Sequence, residues 1–347
     1  MYKSILIICE QKSEIMYDIA IISGDGIGRE VIESAEYLLD KLDINFNFKY
    51  GEAGFECFNK NGTTLPEETV KIAKSSDATL FGASTSTPGQ PSPIINLRKK
   101  LDVYANLRPI KSYNGIKSIK DNIDFIIVRE NTEGLYSQIE YENNDKIIAE
   151  RIITKKASEK ISEIAFKLSR RRNKQNKVTC VHKSNVLKKT DGIFKESFYK
   201  VSKKYPQIKT EDFYVDATAM YLITNPFNFD VIVSSNLFGD ILSDESAGLV
   251  GGLGLAPSGN IGDKNGLFEP VHGSAPDITG KNIANPCSMI LSAAMMLDYL
   301  GEKETALKIN KAVEKVVEKG KILTPDLGGK SKTMEMTEAI VKEVDKC

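Results

Sequence analysis

Residues 236–262 read NLFGDILSDESAGLVGGLGLAPSGNIG and place two carboxylates, Asp240 and Asp244, between an apolar run and a glycine-rich loop. On a helix the two side chains share one face, where like charges repel by roughly a few tenths of a kcal/mol unless a cation or an arginine lies between them. One interpretation is N-capping with solvent exposure. The other is a site for Mg²⁺ or Mn²⁺, which prefer oxygen ligands, with Asp216 at a predicted strand end as a third carboxylate.

Upstream of this stretch, apolar runs alternate with amphipathic helical patterns, and the alternation predicts an α/β protein. A polar segment at 83–93 predicts a mobile loop, and the region around 286–319 predicts long helices. The predicted buried strands are 17–23, 77–83, 124–130, 177–182 and 229–236, and the clearest helical patterns are 29–43 and 157–171.

The segment GDGIG at 24–28 follows the first predicted strand, as a dinucleotide-binding glycine motif would. The spacing of that motif requires a third glycine at position 29, where Arg29 stands. The sequence therefore predicts a tight turn and does not support a Rossmann fold.

The composition of the chain argues against proteins that bind nucleic acid or membranes through their overall charge. Lys+Arg and Asp+Glu both number 47, so no net field favours nucleic acid or a membrane surface. The five cysteines are scattered without metal-ligand spacing, which predicts free thiols and a cytoplasmic location.

The basic run 170–177 lacks aromatic residues and predicts a solvated helix end. Residues 1–15 are interpreted as an extension preceding a start at Met16, and no apolar run is long enough to span a membrane.

Several polar side chains lie at predicted element ends. Arg98, Arg108 and Arg129 are either paired with structural carboxylates or converge as a clamp for a polycarboxylate. Tyr136 and Lys183 are either ordinary packing and surface residues or an acid/base pair beside a metal. The loop after 268, which contains His272 and Asp277, is either a packed turn or an adenosine-binding loop. On the residues alone, both interpretations remain open for the arginines, for Tyr136 and Lys183, and for this loop. The loop's candidate cofactor-binding residues are His272, Gly273, Ser274, Ala275, Asp277, Ile278 and Asn285.

Taken together, the strings resemble a known family. GDGIG, LRKKLDVYANLRP, RENTEGLY, HKSNVLKKTDG, the 236–262 stretch and EPVHGSAPDITGKNIANP occur in this order over nearly the whole chain. They are similar to the metal-dependent β-decarboxylating dehydrogenases that act on isocitrate, homoisocitrate and 3-isopropylmalate. The resemblance implies oxidation of a C3-substituted malate by hydride transfer to NAD(P)⁺, followed by loss of the C3 carboxylate as CO₂.

The resemblance also implies roles for residues. Arg98, Arg108 and Arg129 would hold the malate carboxylates, and Asn185 would lie near the nicotinamide and the substrate. Asp240 and Asp244 would bind Mg²⁺ or Mn²⁺. The neighbouring subunit would supply Asp216 as a further metal ligand and Lys183 as the base, while Tyr136 would protonate the enolate. The expected active unit is a homodimer, or a dimer of dimers, with shared sites.

The fold implied by the resemblance is a non-Rossmann, two-domain α/β fold with a discontinuous large domain. We expect residues 1–105 plus 250–347 to form the large domain on the cofactor side, and 106–249 to form the small domain with the dimer interface. Asp277-Ile278 stands where members that use NADP⁺ commonly have Lys-Tyr, which favours NAD⁺ because a carboxylate accepts from ribose hydroxyls and repels a 2′-phosphate.

Substrate choice depends on SPIINLR at 92–98. Ser92 occupies the position of a serine typical of isocitrate enzymes, but Ile94 replaces their asparagine. Ile94-Ile95 suits isopropylmalate enzymes, yet Pro91 stands where those usually carry glutamate. The mixture most resembles the homoisocitrate dehydrogenases of methanogenic archaea, so we rank homoisocitrate and its longer homologues first, 3-isopropylmalate second and isocitrate third.

A different class of function is a regulatory subunit that binds ligands without turnover. Such members of the family lack catalytic or metal-binding residues. All five residues implied here are present, so an active enzyme is favoured; they are Tyr136, Lys183, Asp216, Asp240 and Asp244.

Overall fold

The computed structural model describes residues 15–346, so the extension inferred for residues 1–15 lies outside it except for Ile15. Within this range the chain forms twelve strands and eleven α-helices. The strands are β1 Met16–Gly24, β2 Asn45–Tyr50, β3 Ala78–Ala83, β4 Ala105–Lys111, β5 Asp124–Glu130, β6 Glu140–Asn143, β7 Lys146–Ala149, β8 Lys177–His182, β9 Lys209–Tyr214, β10 Val231–Ser234, β11 Pro257–Ile261 and β12 Gly266–Pro270. The helices are α1 Gly28–Leu39, α2 Phe55–Asn61, α3 Glu67–Ser75, α4 Pro93–Lys100, α5 Lys155–Arg172, α6 Thr190–Ser202, α7 Val215–Thr224, α8 Asn236–Leu249, α9 Cys287–Leu300, α10 Lys303–Lys319 and α11 Thr333–Val344.

Ten strands form one mixed sheet in the order β2-β1-β3-β12-β11-β4-β5-β10-β8-β9, and β6 and β7 form a separate hairpin. Neighbouring strands are parallel from β2 to β12 at one end of the sheet and from β5 to β9 at the other. Between these ends, β11 runs antiparallel to both β12 and β4, and β4 runs antiparallel to β5. Antiparallel strands at the centre distinguish this sheet from a doubly wound dinucleotide-binding fold. The α/β prediction is confirmed.

Helices cover both faces of the sheet, and the alternation along β5 shows which helix lies on which face. Phe125 and Ile127 pack in the apolar cluster that includes residues of α7 and α8. Ile126 and Val128 pack in the cluster that includes residues of α5 and α6. Because successive strand residues point to opposite faces, α8 and α5 lie on opposite sides of the sheet.

The first turn of the chain follows the sequence prediction. Gly24 and Gly26 have φ of +70° and +58°, a conformation that favours glycine, and the chain turns there directly into α1. A Cβ on Gly26 would lie 2.2 Å from the carbonyl oxygen of Ser274, so this turn also contacts the loop after β12.

The five predicted strands and the two predicted helices are all present within a few residues of their expected limits. Segment 84–92, predicted as a mobile loop, connects β3 to α4 without regular structure. Cys57, Cys180 and Cys287 are free and buried, as expected, while Cys9 and Cys347 lie outside the described residues. Across residues 15–346, no helix has the length and apolar character needed to cross a bilayer.

Candidate active site

Two arginines reach the α8 side of the sheet from neighbouring antiparallel strands. Arg108 lies in β4 and Arg129 in β5, and both side chains are buried. The guanidinium of Arg129 donates to Asn236 Oδ1 over 2.9 and 2.7 Å and forms an ion pair with Asp240. A Cβ on Gly239 would lie 2.8 Å from Cβ of Arg129, so a glycine at this position lets α8 approach β5 closely.

Arg108 lies between the two carboxylates of α8. Its Nη1 is 3.0 Å from Asp244 Oδ1, and its Nη2 is 3.6 Å from Asp240 Oδ1. An arginine in this position removes the repulsion expected for two carboxylates one helical turn apart. Burial is the main cause of the raised pKa of the Asp244 carboxyl, and Arg108 opposes that effect.

Tyr136 completes this cluster. It lies in a short 3₁₀ turn after β5, its hydroxyl donates to the second oxygen of Asp240, and its ring centroid is 4.9 Å from Cζ of Arg129. Burial and the hydrogen bond to Asp240 raise the pKa of Tyr136. The phenol is therefore protonated at neutral pH and able to donate a proton.

Arg98 enters from α4. Its Nε and Nη2 lie 3.0 and 2.6 Å from Glu269 Oε1, and the ion pair is buried. Burial lowers the pKa of Arg129 to about 10, and repulsion from Arg108 and Arg98 contributes to that shift. Three guanidiniums therefore lie near one another beside α8, and each is paired with a carboxylate: Arg98 with Glu269, Arg108 with Asp244 and Arg129 with Asp240.

Lys183 and Asp216 form a separate pair. Lys183 directly follows β8, Asp216 lies in the first turn of α7, and Nζ is 2.5 Å from Asp216 Oδ1. The hydrogen bond from Lys183 lowers the pKa of Asp216. Within residues 15–346, no ion pair joins these two residues to Asp240 or Asp244, and no group of three or more His, Cys, Asp or Glu side chains is arranged to hold a metal.

The remaining predicted substrate residues occupy loops. Ser92 is half-buried and immediately precedes α4, on which Ile94 and Ile95 are also half-buried. Asn185 is exposed in the turn between β8 and α6.

The predicted cofactor residues line the loop after β12. His272 is half-buried, and its Nε2 is buried without a hydrogen-bond partner among the described residues. Ser274 is buried, and its carbonyl accepts from the backbone N–H of Ile27 at 2.9 Å. Ala275 has φ of +40°, and Asp277 is exposed in the following 3₁₀ turn. The loop therefore combines a buried ring nitrogen that has no hydrogen-bond partner among the described residues with an accessible carboxylate.

A family model described as isocitrate/isopropylmalate dehydrogenase matches residues 18–340. The chain belongs to this family. The match covers nearly all the described elements.

Relatives and solved structures agree with this assignment. The chain is 56% identical to the 3-isopropylmalate/3-methylmalate dehydrogenase of Methanocaldococcus jannaschii, across 95% of this chain and 99% of that protein. It is 51% identical to the homoisocitrate dehydrogenase of the same organism, across 95% of this chain and 99% of that protein. The crystal structure of isocitrate dehydrogenase from Methylococcus capsulatus superposes with a TM-score of 0.91 at 42% identity, across 95% of this chain and 99% of that one. The chain is thus an oxidoreductase of the isocitrate/isopropylmalate dehydrogenase family, a β-decarboxylating dehydrogenase.

Two residues that position Lys183, Asp191 and Arg151, are not predicted from the sequence. The Asp191 carboxylate, which is buried, accepts from the backbone N–H of Lys183 at 2.6 Å and pairs with Arg151 Nη1 at 2.5 Å. Arg151 also donates to Ser235, which immediately precedes α8, at 3.1 Å. The only sequence signal was the place of Asp191 within the HKSNVLKKTDG string.

A second missed residue lies within GDGIG. The buried carboxylate of Asp25 accepts backbone N–H groups from Phe55 and Glu56, at 2.8 and 3.1 Å, and from Thr85, at 2.8 Å. Thr85 in turn donates to Ser274 Oγ at 2.8 Å. Asp25 and Thr85 therefore connect the loop before α4 to the loop after β12.

The interpretation of 170–177 as a solvated helix end is partly wrong. Arg172 is largely buried and pairs with Asp124 and Asp230, each at 2.9 Å. Lys177 lies inside β8 and is buried, 3.3 Å from Glu211. Two of the basic residues thus neutralise carboxylates of neighbouring strands, which a charge pattern in sequence cannot reveal.

Proposed function

We propose that this enzyme uses NAD⁺ to oxidise a C3-substituted malate to a 2-oxo acid with release of CO₂. The observation that carries the proposal is the convergence of Arg98, Arg108 and Arg129 beside Asp240 and Asp244. Buried guanidiniums bind carboxylates with fixed bidentate geometry, and several carboxylates define this substrate class.

The carboxylates of α8 fit a divalent cation. Both offer only oxygen atoms and share one helix face, and the positive charge of Arg108 already lies beside both of them. We assign Mg²⁺ or Mn²⁺ to Asp240 and Asp244, together with Asp216 of the partner subunit. When bound, the ion supplies Lewis acidity at the substrate oxygens. With a cation held by these carboxylates, Arg108 and Arg129 would be available to bind substrate carboxylates.

The protein's own groups move the protons. Lys183 of the partner subunit, once it has lost a proton and is a neutral amine, accepts the proton of the substrate hydroxyl while hydride passes to NAD⁺. Loss of the C3 carboxylate as CO₂ leaves an electron pair at C3, and Tyr136 protonates that carbon. Asn185 lies near the nicotinamide and the substrate in this assignment. One proton leaves the hydroxyl and one arrives at C3, so the reaction yields the 2-oxo acid, CO₂ and NADH without a net proton.

A homodimer, alone or as a dimer of dimers, accounts for the apolar side chains that α7 and α8 expose. Met220 and Ile223 of α7 are 51% and 49% exposed, and Ile241 of α8 is 56% exposed, although these helices pack side by side. The β6–β7 hairpin exposes Tyr141 and Ile147 as well. Contact with a second copy would bury these groups and bring Lys183 and Asp216 to the other subunit's site.

The loop after β12 suits NAD⁺. His272 Nε2 lacks a partner in the described part of the chain, and Asp277 is accessible to accept from ribose hydroxyls. We assign this role to His272, Gly273, Ser274, Ala275, Asp277, Ile278 and Asn285. The large domain on the cofactor side (1–105 plus 250–347), the small domain (106–249) and the cytoplasmic location are parts of the same proposal.

Homoisocitrate and its longer homologues are the first candidate substrates. Ser92 precedes α4 by one residue, and Ile94, Ile95 and Arg98 follow it on the helix. An apolar stretch with one hydroxyl suits a methylene chain that ends in a carboxylate. The names of the relatives favour 3-isopropylmalate as the second candidate, because one of them is a 3-isopropylmalate/3-methylmalate dehydrogenase.

The test is a steady-state assay of purified enzyme with homoisocitrate, 3-isopropylmalate and isocitrate, each with Mg²⁺ and either NAD⁺ or NADP⁺. The proposal predicts the highest kcat/KM with homoisocitrate and NAD⁺. A large preference for 3-isopropylmalate would reverse the order of the candidates. Absence of turnover with all three acids would favour a non-catalytic regulatory subunit.

A further inference from the structure

A large apolar groove lies on the side of the sheet opposite the candidate active site. It encloses about 750 Å³ between α5 on one side and α9 and α10 on the other. Along β4, Arg108 faces α8 and the site, while its neighbours Leu107 and Pro109 line this rear groove. The rear groove is therefore separate from the site but shares its central strands.

The floor of the rear groove is apolar. Ile126 of β5 and Phe268 of β12 lie at its base, with Leu168 of α5 and Met295 of α9 beside them. Its volume falls within the roughly 300–1,000 Å³ typical of small-molecule pockets, which combine apolar walls with a few polar groups. The apolar surface is not covered by any other element of residues 15–346.

The rim of the rear groove has more basic than acidic side chains, although four of its six basic side chains are paired with carboxylates. Two acidic side chains, Asp298 and Glu314, also line it, and they pair with Arg171 and Lys111. The basic side chains of the rim are Lys111, Lys167, Arg171, Arg172, Lys303 and Lys311.

Two of these cations are available to a ligand. Lys303, Leu307 and Lys311 succeed one another at one-turn intervals along α10, and Leu307 is 60% exposed. Neither lysine has an ion-pair partner in the part of the chain that the structure describes. An exposed leucine between two unpaired ammonium groups is complementary to a molecule with an apolar body and an anionic head.

We propose that the rear groove is a second binding site, for a small amphipathic anion such as a medium-chain carboxylate. The chain of the ligand packs on Leu107, Phe268 and Met295, and its head group lies beside Lys303 and Lys311. This inference is independent of the substrate assigned to the candidate active site.

The test uses decanoate as the probe, with binding to the full-length protein measured by isothermal titration calorimetry. We expect saturable binding at one site per chain, weaker binding of decanol and hexanoate, and no displacement by 3-isopropylmalate. In the double variant Lys303→Glu/Lys311→Glu, Kd for decanoate should rise at least about tenfold. The exposed variant Leu307→Ser should also weaken binding, which tests the apolar contact without changing charge.

The matched control is Lys321→Glu/Lys342→Glu, which makes the same change in charge at exposed lysines around a different groove. Decanoate should bind this control as it binds the unmodified protein. Absence of saturable binding, an equal loss in both double variants, or displacement of decanoate by 3-isopropylmalate would each overturn the proposal. The last result would place the probe among the arginines of the candidate active site instead.

Discussion

The ammonium group of Lys183 lies 2.5 Å from the carboxylate of Asp216, and no ion pair among the described residues connects them to the carboxylates of α8. Lys183 and Asp216, the proposed base and one proposed metal ligand, thus form an ion pair of their own. In the proposed homodimer, each subunit would contribute this pair to its neighbour's site and would receive the neighbour's pair in return.

Substrate choice is predicted to depend on Ser92. Ser92→Ala removes a hydroxyl that can donate to a terminal carboxylate, and hydrogen bonds to charged groups contribute about 1.5–3 kcal/mol. We expect kcat/KM for homoisocitrate to fall about tenfold or more and kcat/KM for 3-isopropylmalate to change by less than about twofold. The reciprocal variant, Ile94→Asn, should raise activity with isocitrate. Equal losses with all acids would show that Ser92 does not contact the distal carboxylate.

Cofactor choice is predicted to depend on Asp277. The paired change Asp277→Lys/Ile278→Tyr replaces a carboxylate that repels a 2′-phosphate with a cation that attracts it. The ratio of kcat/KM for NADP⁺ to that for NAD⁺ should rise by about tenfold or more. Lys281→Ala, a change at an exposed neighbour, should leave the ratio unchanged. If the paired variant keeps the original ratio, the loop does not contact the ribose.

Asp191 is predicted to position Lys183. Asp191→Asn weakens the bond to the Lys183 backbone and the ion pair with Arg151. We expect kcat to fall about tenfold with little change in KM, because the base is displaced while the arginines still bind substrate. Asp298→Asn, which removes an Asp–Arg ion pair elsewhere, serves as the control. A rise in KM at constant kcat would contradict a role through Lys183.

His182 is predicted to make the protein less stable in mild acid. Burial lowers the pKa of His182 below its ordinary value of 6.5, despite the nearby Asp212. Below about pH 6.5 the unfolded chain therefore binds more protons than the folded one, and the free energy of unfolding falls as the pH decreases toward the folded pKa. The stabilisation that the folded protein gains by keeping His182 uncharged is fully present only above the pKa that this histidine has in the unfolded chain.

The measurement for His182 is urea unfolding at several pH values between about 5 and 7.5. His182→Gln should reduce the slope of unfolding free energy against pH in the acidic part of this range. The other histidine, His272, also has a pKa lowered by burial, so the double variant with His272→Gln should flatten the slope further. An unchanged slope in both variants would assign the acid sensitivity to carboxylates.

The parts of the fold that the sequence predicts are buried strands with at least one parallel neighbour. β3, β5, β8 and β10 are continuous apolar runs because both of their faces are covered by helices. β11, with the sequence PSGNI, was interpreted only as part of a glycine-rich loop. It is a central strand in which Gly259 leaves room for Phe268 and Met295, so close packing replaces the usual apolar signal.

For the candidate site, motifs indicated the residues but could not indicate their partners. Arg98 and Glu269 are 171 positions apart, and only the fold brings α4 to the end of β12. Arg108 was predicted as a substrate ligand, and the structure adds that it separates Asp240 from Asp244. Asp191 was overlooked because its carboxylate bonds to backbone, a role that has no distinctive sequence pattern.

The central claim is that each active site combines residues of two subunits. Lys183→Ala and Asp240→Asn should each nearly abolish turnover while the protein still folds as a dimer. When equal amounts of the two variants are co-expressed, random pairing makes half of the dimers mixed, and each mixed dimer contains one unmodified site. Activity should then return to about one quarter of the unmodified level.

The control is co-expression of Lys183→Ala with Asp216→Asn, in which every shared site remains defective. The decisive measurement is turnover by mixed dimers of Lys183→Ala and Asp240→Asn, purified through a different affinity tag on each chain. Recovery in this pair and none in the control is the result that we predict. No recovery in the purified mixed dimers would contradict the account, because Lys183 would then act within its own subunit.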